Sequence, residues 1–264
     1  MNNVFVFFSS IGNIGLTTTV LAVADTLAKN TDSRVGVLNL NAWDDGTDYI
    51  EEPEFTLDQI KSRLTGKMFH NTDDLLGKFK AIRENLYVLA GNRDRRLDRL
   101  YSIEEVNYLI EKSKELFDIV LIDAGCHIDN ALTAGALEFS DQLFLVLNQQ
   151  DKSSKQFEQL NDGILLDFPI LKKDLNLIMN NYSSRTYLPS DVEISKQIDV
   201  PLYATIPHVE NAWLCEIEKK WSVLYDNKNF NDTIFNIVER LVEKSNVTLV
   251  EGAKKKKRGL FKMR

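Results

Sequence analysis

Short apolar runs and stretches of helical periodicity alternate along almost the whole chain. Residues 4–8, 34–41, 86–90, 117–123, 142–147, 175–179 and 202–206 are runs dominated by Val, Leu, Ile, Phe and Tyr. Runs of this length with apolar side chains at successive positions suit parallel strands covered on both faces. Between and after them, residues 17–29, 56–64, 73–79, 103–116, 131–139, 152–166, 191–197, 211–220 and 232–244 carry apolar side chains at helical spacing. In 17–29, for example, Leu21, Ala24 and Leu27 or Ala28 fall on one stripe. About seven strands alternating with helices predict an α/β fold, a doubly wound, mostly parallel sheet with helices on both faces. Such sheets bind ligands beyond the carboxyl ends of their strands.

Composition narrows this picture. At 264 residues and 44% hydrophobic content, the chain can fill the core of one large domain, expected over residues 1–248. No window of 18 or more apolar residues suggests a membrane span. The apolar run 4–8 has no basic residue before it, so it reads as a first strand and not as a signal peptide. Cys126 and Cys215 lie far apart and read as unpaired thiols of a reducing cytoplasm. Residues 92–99, NRDRRLDR, form a charge cluster that reads as a solvated loop or helix start, with a partner-contact surface as the alternative.

Charge is distributed unevenly. The formal net charge is −7, yet Lys254, Lys255, Lys256, Lys257, Arg258, Lys262 and Arg264 follow one another with no acid among them. Removing that +7 from the formal −7 leaves −14 on the remainder. An acidic body argues against nucleic-acid binding by the domain surface, because neutralising phosphates is what supplies non-specific affinity. Any anionic partner should meet the segment 249–264. Leu260, Phe261 and Met263 are embedded in its basic run. Basic residues attracted to an anionic leaflet, with three apolar side chains to bury, predict weak and reversible membrane attachment. A solubilising tail and a nucleic-acid-binding or localisation patch are the alternatives.

The candidate chemistry sits in residues 9–19, SSIGNIGLTTT, between the first strand and the first helix. A strand feeding a glycine turn that opens a helix brings backbone N–H groups and the helix N-terminus toward a phosphate. Gly12, Gly15, Thr17 and Thr18 stand where a Walker-A loop has its glycines and hydroxyls, but Leu16 occupies the place of its lysine. Further along, the apolar run 117–123 ends on Asp123, the arrangement of a Walker-B strand that holds Mg²⁺ through water.

The ordered set SSIGNIGLTT, VLNLN, LYVLAG, FDIVLIDAG, LNLIMNNY and PLYATIPHVENA resembles the MinD/ParA superfamily of deviant Walker-A ATPases over nearly the whole chain. Within it the likeness is greatest to the CpaE/TadZ-type pilus-assembly branch, where degenerate Walker loops also occur. The resemblance implies a P-loop NTPase-like fold that binds ATP or ADP with Mg²⁺, weakly or no longer. It implies nucleotide contacts from Gly12, Asn13, Gly15, Leu16, Thr17 and Thr18, with Thr17 and Asp123 serving the metal. Asn180 corresponds to the family's adenine-reading asparagine, and Pro207 to the loop that covers the base. The basic segment resembles the membrane-targeting sequence of MinD-type proteins, which implies a cytoplasmic protein peripheral on the inner face of the cell membrane.

Four departures from the family pattern bear on mechanism. The signature lysine is replaced by Ile11, the Walker lysine by Leu16, and the two second-strand aspartates by Asn39 and Asn41. Amides can hydrogen-bond but cannot act as a base, and the lost cations would have clamped the γ-phosphate. The chain therefore reads as a pseudo-ATPase acting as a positioning or scaffold factor, with a protein partner in a pilus or secretion assembly. A homodimer held by Ile11 and Leu16 without nucleotide is a further expectation. A slow or partner-completed ATPase and a plasmid or chromosome partition protein are the alternatives.

Overall fold

The computed structural model describes residues 3–168 and 170–250. Its eight strands among these residues are β1 (Asn3–Ser9), β2 (Val35–Asn39), β3 (Lys80–Arg83), β4 (Leu86–Leu89), β5 (Ile119–Asp123), β6 (Gln142–Leu147), β7 (Leu175–Tyr182) and β8 (Leu202–Pro207). They form one sheet in the order β3-β4-β2-β5-β1-β6-β7-β8, parallel except for β3. The seven expected runs each form a strand. The eighth, β3, escaped notice because Lys-Ala-Ile-Arg is short and partly exposed along its length. That is the composition of a blunted edge strand, which pairs antiparallel with β4 across a bulge.

Alternation along each strand sends side chains to two separate cores. Val4, Val6 and Phe8 of β1 pack into one, while Phe5 and Phe7 pack into the other. The first core lies under α2 (Leu57–Thr65), α4 (Ile103–Leu116), α5 (Ala131–Glu138), α6 (Asp151–Gly163) and α7 (Asp191–Ile198). The opposite core lies under α1 (Leu16–Asn30) and α9 (Lys228–Glu243). Short helices α3 (Thr72–Leu76) and α8 (Leu214–Glu218) complete the set. Because the sheet is covered on both faces, its central strands carry apolar side chains at successive positions over most of their length, as the sequence pattern required.

Helix ends follow local capping. Ser102 and Glu105 form a capping box at α4, and Asn227 accepts the Phe230 N–H at the start of α9. That cap starts α9 four residues before the expected position at 232. The expected helix 152–166 stops at Gly163 and gives way to a 3-10 turn over Leu165–Asp167. The charge cluster at 92–99 contributes to another 3-10 turn, Arg95–Leu100, and pairs largely with its own chain: Arg93 with Asp45 and Glu52, Arg96 with Asp94, Arg99 with Asp129. Cys126 and Cys215 are unpaired.

The body extends past the boundary expected at residue 248. Leu249 pairs with Thr31, and the Val250 N–H donates to the Asn30 carbonyl at 2.9 Å. The basic residues at 254–264 lie outside the described residues. No described helix is long and apolar enough to cross a membrane.

Candidate functional site

β1 is central in the sheet, with β5 on one side and β6 on the other, so the loop that leaves its carboxyl end emerges where the strand order reverses. In that loop Asn13 and Gly15 both adopt left-handed backbone conformations, φ 59° and 79°. Gly15 is required there twice over. Its φ disfavours any side chain, and a Cβ would stand 2.6 Å from Asn180 Nδ2. α1 opens at Leu16, and its first intrahelical bond runs from the Thr19 N–H to the Gly15 carbonyl at 3.1 Å. The amides before Thr19 have no carbonyl one turn earlier and face the loop, which is an anion-binding arrangement.

The Thr17 hydroxyl donates to Asp123 Oδ2 at 2.5 Å, and the Gly125 N–H donates to Asp123 Oδ1 at 3.0 Å. Asp123 is buried at the end of β5, 1% exposed. Burial pushes its carboxyl up to about 6, against the opposing pull of the Thr17 and Gly125 hydrogen bonds. Asn39 is the register partner of Asp123 on β2 and is itself buried. Its Oδ1 accepts the Asn41 N–H at 3.0 Å, while its buried Nδ2 has no hydrogen-bond partner. Asn41 Oδ1 accepts the Trp43 N–H at 3.1 Å, so both amides shape the turn that leaves β2.

Two clefts flank the loop. One, about 360 Å³, is lined by Asn13, Gly15, Thr18, Asn180 and Pro207, with Tyr49, Glu210, Trp213 and Glu216 around them. The other, about 230 Å³, is lined by Gly12, Asn13, Gly15, Leu16 and Thr17, with Asn41, Trp43, Asp44 and His127 opposite. All the residues singled out from 12 to 18 therefore meet at these clefts, together with Asn180 and Pro207. Asp123 sits just beneath, joined through Thr17. Asn180 also ties β7 to the loop, its Nδ2 donating to the Ile14 carbonyl at 2.6 Å.

No lysine or arginine lines either cleft among the described residues. The carboxylates there are Asp44, Glu210 and Glu216, beside the imidazoles of His127 and His208. Burial raises the Asp44 carboxyl above the usual range, and its neighbours Asp45 and Asp48 add to this while the Gly46 N–H and Arg95 oppose it. Tyr49 lines both clefts, donates to Glu216 at 3.2 Å, and has its phenol held well above the ordinary range, first by burial.

Leu16 departs from its expected role. It is 8% exposed and belongs to the core beneath α1, so it is closed to a subunit contact. Ile11 is partly buried against the same core. The large exposed side chains at the cleft rims are Trp43, 52% exposed and 5.0 Å from the His127 ring, and Trp213, 60% exposed. Sequence reasoning singled out none of Trp43, Asp44, Tyr49 or Trp213. Two tryptophans in polar connecting segments were the signal available.

The donor set is suited to a phosphate group. Free loop amides offer hydrogen bonds to an anion. For Mg²⁺, the Thr17 hydroxyl and the Asp123 carboxylate are hard oxygen ligands of the kind that complete their shell with phosphate and water. Among the described residues no group of three or more His, Cys, Asp or Glu could hold a metal by itself.

No family model matches the chain, and no curated protein matches it by sequence. Solved structures do. A ParA family ATPase from Chlorobium tepidum TLS superposes with a TM-score of 0.78 at 21% identity, over 92% of this chain and 99% of that one. The MinC:MinD cell division protein complex of Aquifex aeolicus gives 0.73 at 18% identity, over 92% and 97%. The septum site-determining protein MinD complexed with Mg-ADP from Pyrococcus horikoshii OT3 gives 0.72 at 18%, over 91% and 96%. With its eight-stranded, mostly parallel sheet and a phosphate-type loop after the first strand, the chain has the P-loop fold of the ParA and MinD ATPases.

Proposed function

We propose that this chain is a catalytically degenerate ParA/MinD-like positioning or scaffold factor. The observation that carries the reading is a cleft that keeps the loop amides and the Thr17–Asp123 pair while no lysine or arginine lines it among the described residues. In this proposal Gly12, Asn13, Gly15, Leu16, Thr17 and Thr18 surround the phosphates of ATP or ADP. Asn180 and Pro207 flank the base, and Thr17 and Asp123 serve Mg²⁺. Bound Mg²⁺ would neutralise phosphate charge that no lysine meets here.

Hydrolysis lacks its usual supports in this reading. Asn39 and Asn41 are engaged with backbone amides and cannot take a proton from water. Leu16 gives the γ-phosphate no cation. Nucleotide occupancy would then act as a signal read by surfaces beside the clefts, with Trp43 and Trp213 at their rims. The structural neighbours support positioning as the family theme: one is a septum site-determining protein and another is a complex of MinD with MinC.

The basic segment 254–264 would hold the protein to anionic lipid on the inner face of the membrane. The process served would be pilus or secretion-system assembly, following the resemblance to the CpaE/TadZ-type branch. The intact Thr17–Asp123 pair favours one second reading, a slow ATPase completed by a partner subunit.

Calorimetric titration of Mg-ATP and Mg-ADP, with phosphate release followed on the same sample, tests the proposal. Binding without turnover is the expected result. Turnover that disappears in Asp123→Ala would sink the degenerate reading. Absence of binding at millimolar nucleotide would leave the cleft as architecture alone.

A further inference from the structure

The described chain ends at the edge of the sheet opposite the clefts. Val250 lines a broad groove of about 830 Å³ together with Asp32, Arg34, Glu84 and Asp118. These four residues lie just ahead of β2, β4 and β5, at the amino-terminal ends of the strands. Asp32 and Glu84 are exposed, and their carboxylates have no partner among the described residues. Asp118 is exposed as well and accepts the Arg34 N–H at 2.7 Å. Of the groove's two cations, Lys29 is already paired with Asp25 at 2.5 Å. The other, Arg34, lies over the Tyr87 ring at 6.0 Å.

Three residues, and so four residue steps, separate Val250 from Lys254. A chain spans at most ~3.6 Å per residue, so Lys254 lies within roughly 14 Å of Val250. A tether this short presents the basic run to two unpartnered carboxylates at high effective concentration. Lysine and arginine are their chemical complement, and the body that carries them has a formal charge of −14 once the +7 of the segment is removed.

We propose that the basic run 254–258 docks in this groove of its own chain, its cations against Asp32 and Glu84. An anionic membrane must then displace it before the segment can attach. The docking stands on the groove and the charges alone, and only the displacement rests on the membrane reading above. Exposed ion pairs are individually weak and screened by salt, which makes the latch reversible.

Zero-length carbodiimide crosslinking of the full chain, mapped by mass spectrometry, tests the docking. Links from the lysines at 254–257 to Asp32 or Glu84 within monomer-sized species, lost at high salt, are expected. Absence of these links, or links found only in dimer-sized species, overturns it; the second result would assign the groove to another copy. The displacement is tested by sedimentation with phosphatidylglycerol vesicles. The double variant Asp32→Asn/Glu84→Gln should bind vesicles roughly threefold to tenfold more tightly than the parent chain. A charge-matched control, Glu54→Gln/Glu138→Gln, should not. Equal tightening in both variants overturns the displacement. Crosslinks with no vesicle binding by any chain would refute the membrane reading and leave the docking supported.

Discussion

Thr17 on the first helix and Asp123 at the end of the fifth strand share a hydrogen bond of 2.5 Å, although 106 residues separate them. The bond holds a carboxylate that burial disfavours as an anion, and it joins the phosphate-type loop to the strand neighbouring β1. Three predictions follow from this loop and its supports.

Asp123 should make the protein less stable as pH rises through the acid range. Its folded pKa, about 6, is raised above the ordinary 3.8. Between those values the folded state binds more protons than the unfolded state, so stability falls from about pH 4 to pH 6 and then levels. The full effect is at most about 3 kcal/mol. Asp123→Asn removes the ionisation but can satisfy only one of the two donors, so a net gain of about 1 kcal/mol at pH 8 is expected, turning into a net loss of about 1–2 kcal/mol near pH 4, where the parent's carboxyl is protonated and only the donor cost remains. Urea melts of both proteins at the two pH values check this. A variant less stable than the parent at pH 8 would contradict it.

Leu16→Lys should trade stability for affinity. Removing a leucine that is 8% exposed costs about 2–4 kcal/mol even with the lysine stem retained in part. An ammonium at the loop adds a charged hydrogen bond to phosphate worth ~1.5–3 kcal/mol, so Mg-ATP affinity should rise at least about tenfold. Calorimetry on the variant and parent is the measurement. Unchanged affinity in a folded variant would mean that the clefts hold nucleotide in some other way, or not at all.

Gly15→Ala should lower stability by about 1–3 kcal/mol, from the left-handed backbone and the approach to Asn180. Part of that cost belongs to the contact. In an Asn180→Ala background the same substitution should be milder by about 1 kcal/mol, a non-additivity expected only of touching residues. Thermal melts of the four proteins form the cycle, and strict additivity would show that the 2.6 Å approach carries no energy.

Much of this molecule is legible in its residues one stretch at a time. The seven apolar runs specify buried parallel strands because a sheet covered on both faces demands apolar side chains at successive positions, as Val4 to Phe8 supply. Gly12, Gly15, Thr17 and Thr18 marked the loop because glycines and hydroxyls at that spacing, between a strand and a helix, suit a turn with free amides. Lys80 to Arg83 were not legible, since an edge strand of four residues with a charge at each end has no pattern of its own and is defined by pairing with β4. The acidic lining of the clefts was also hidden: Tyr49, Asp44, Trp213 and Glu216 come from separate connections that only the folded sheet gathers.

The same division applies to Leu16, Asn39 and Asn41. That Leu16, Asn39 and Asn41 carry no charge is a fact of sequence, fixed by side-chain chemistry. Where those side chains went was decided by packing. Leu16 turned into the core under α1, Asn39 was buried beside Asp123, and both asparagines closed backbone turns. Charge and periodicity are local properties that a chain carries unfolded. Burial, register and the meeting of distant loops exist only once the sheet has formed, which is why the fold could be anticipated and the character of its clefts could not.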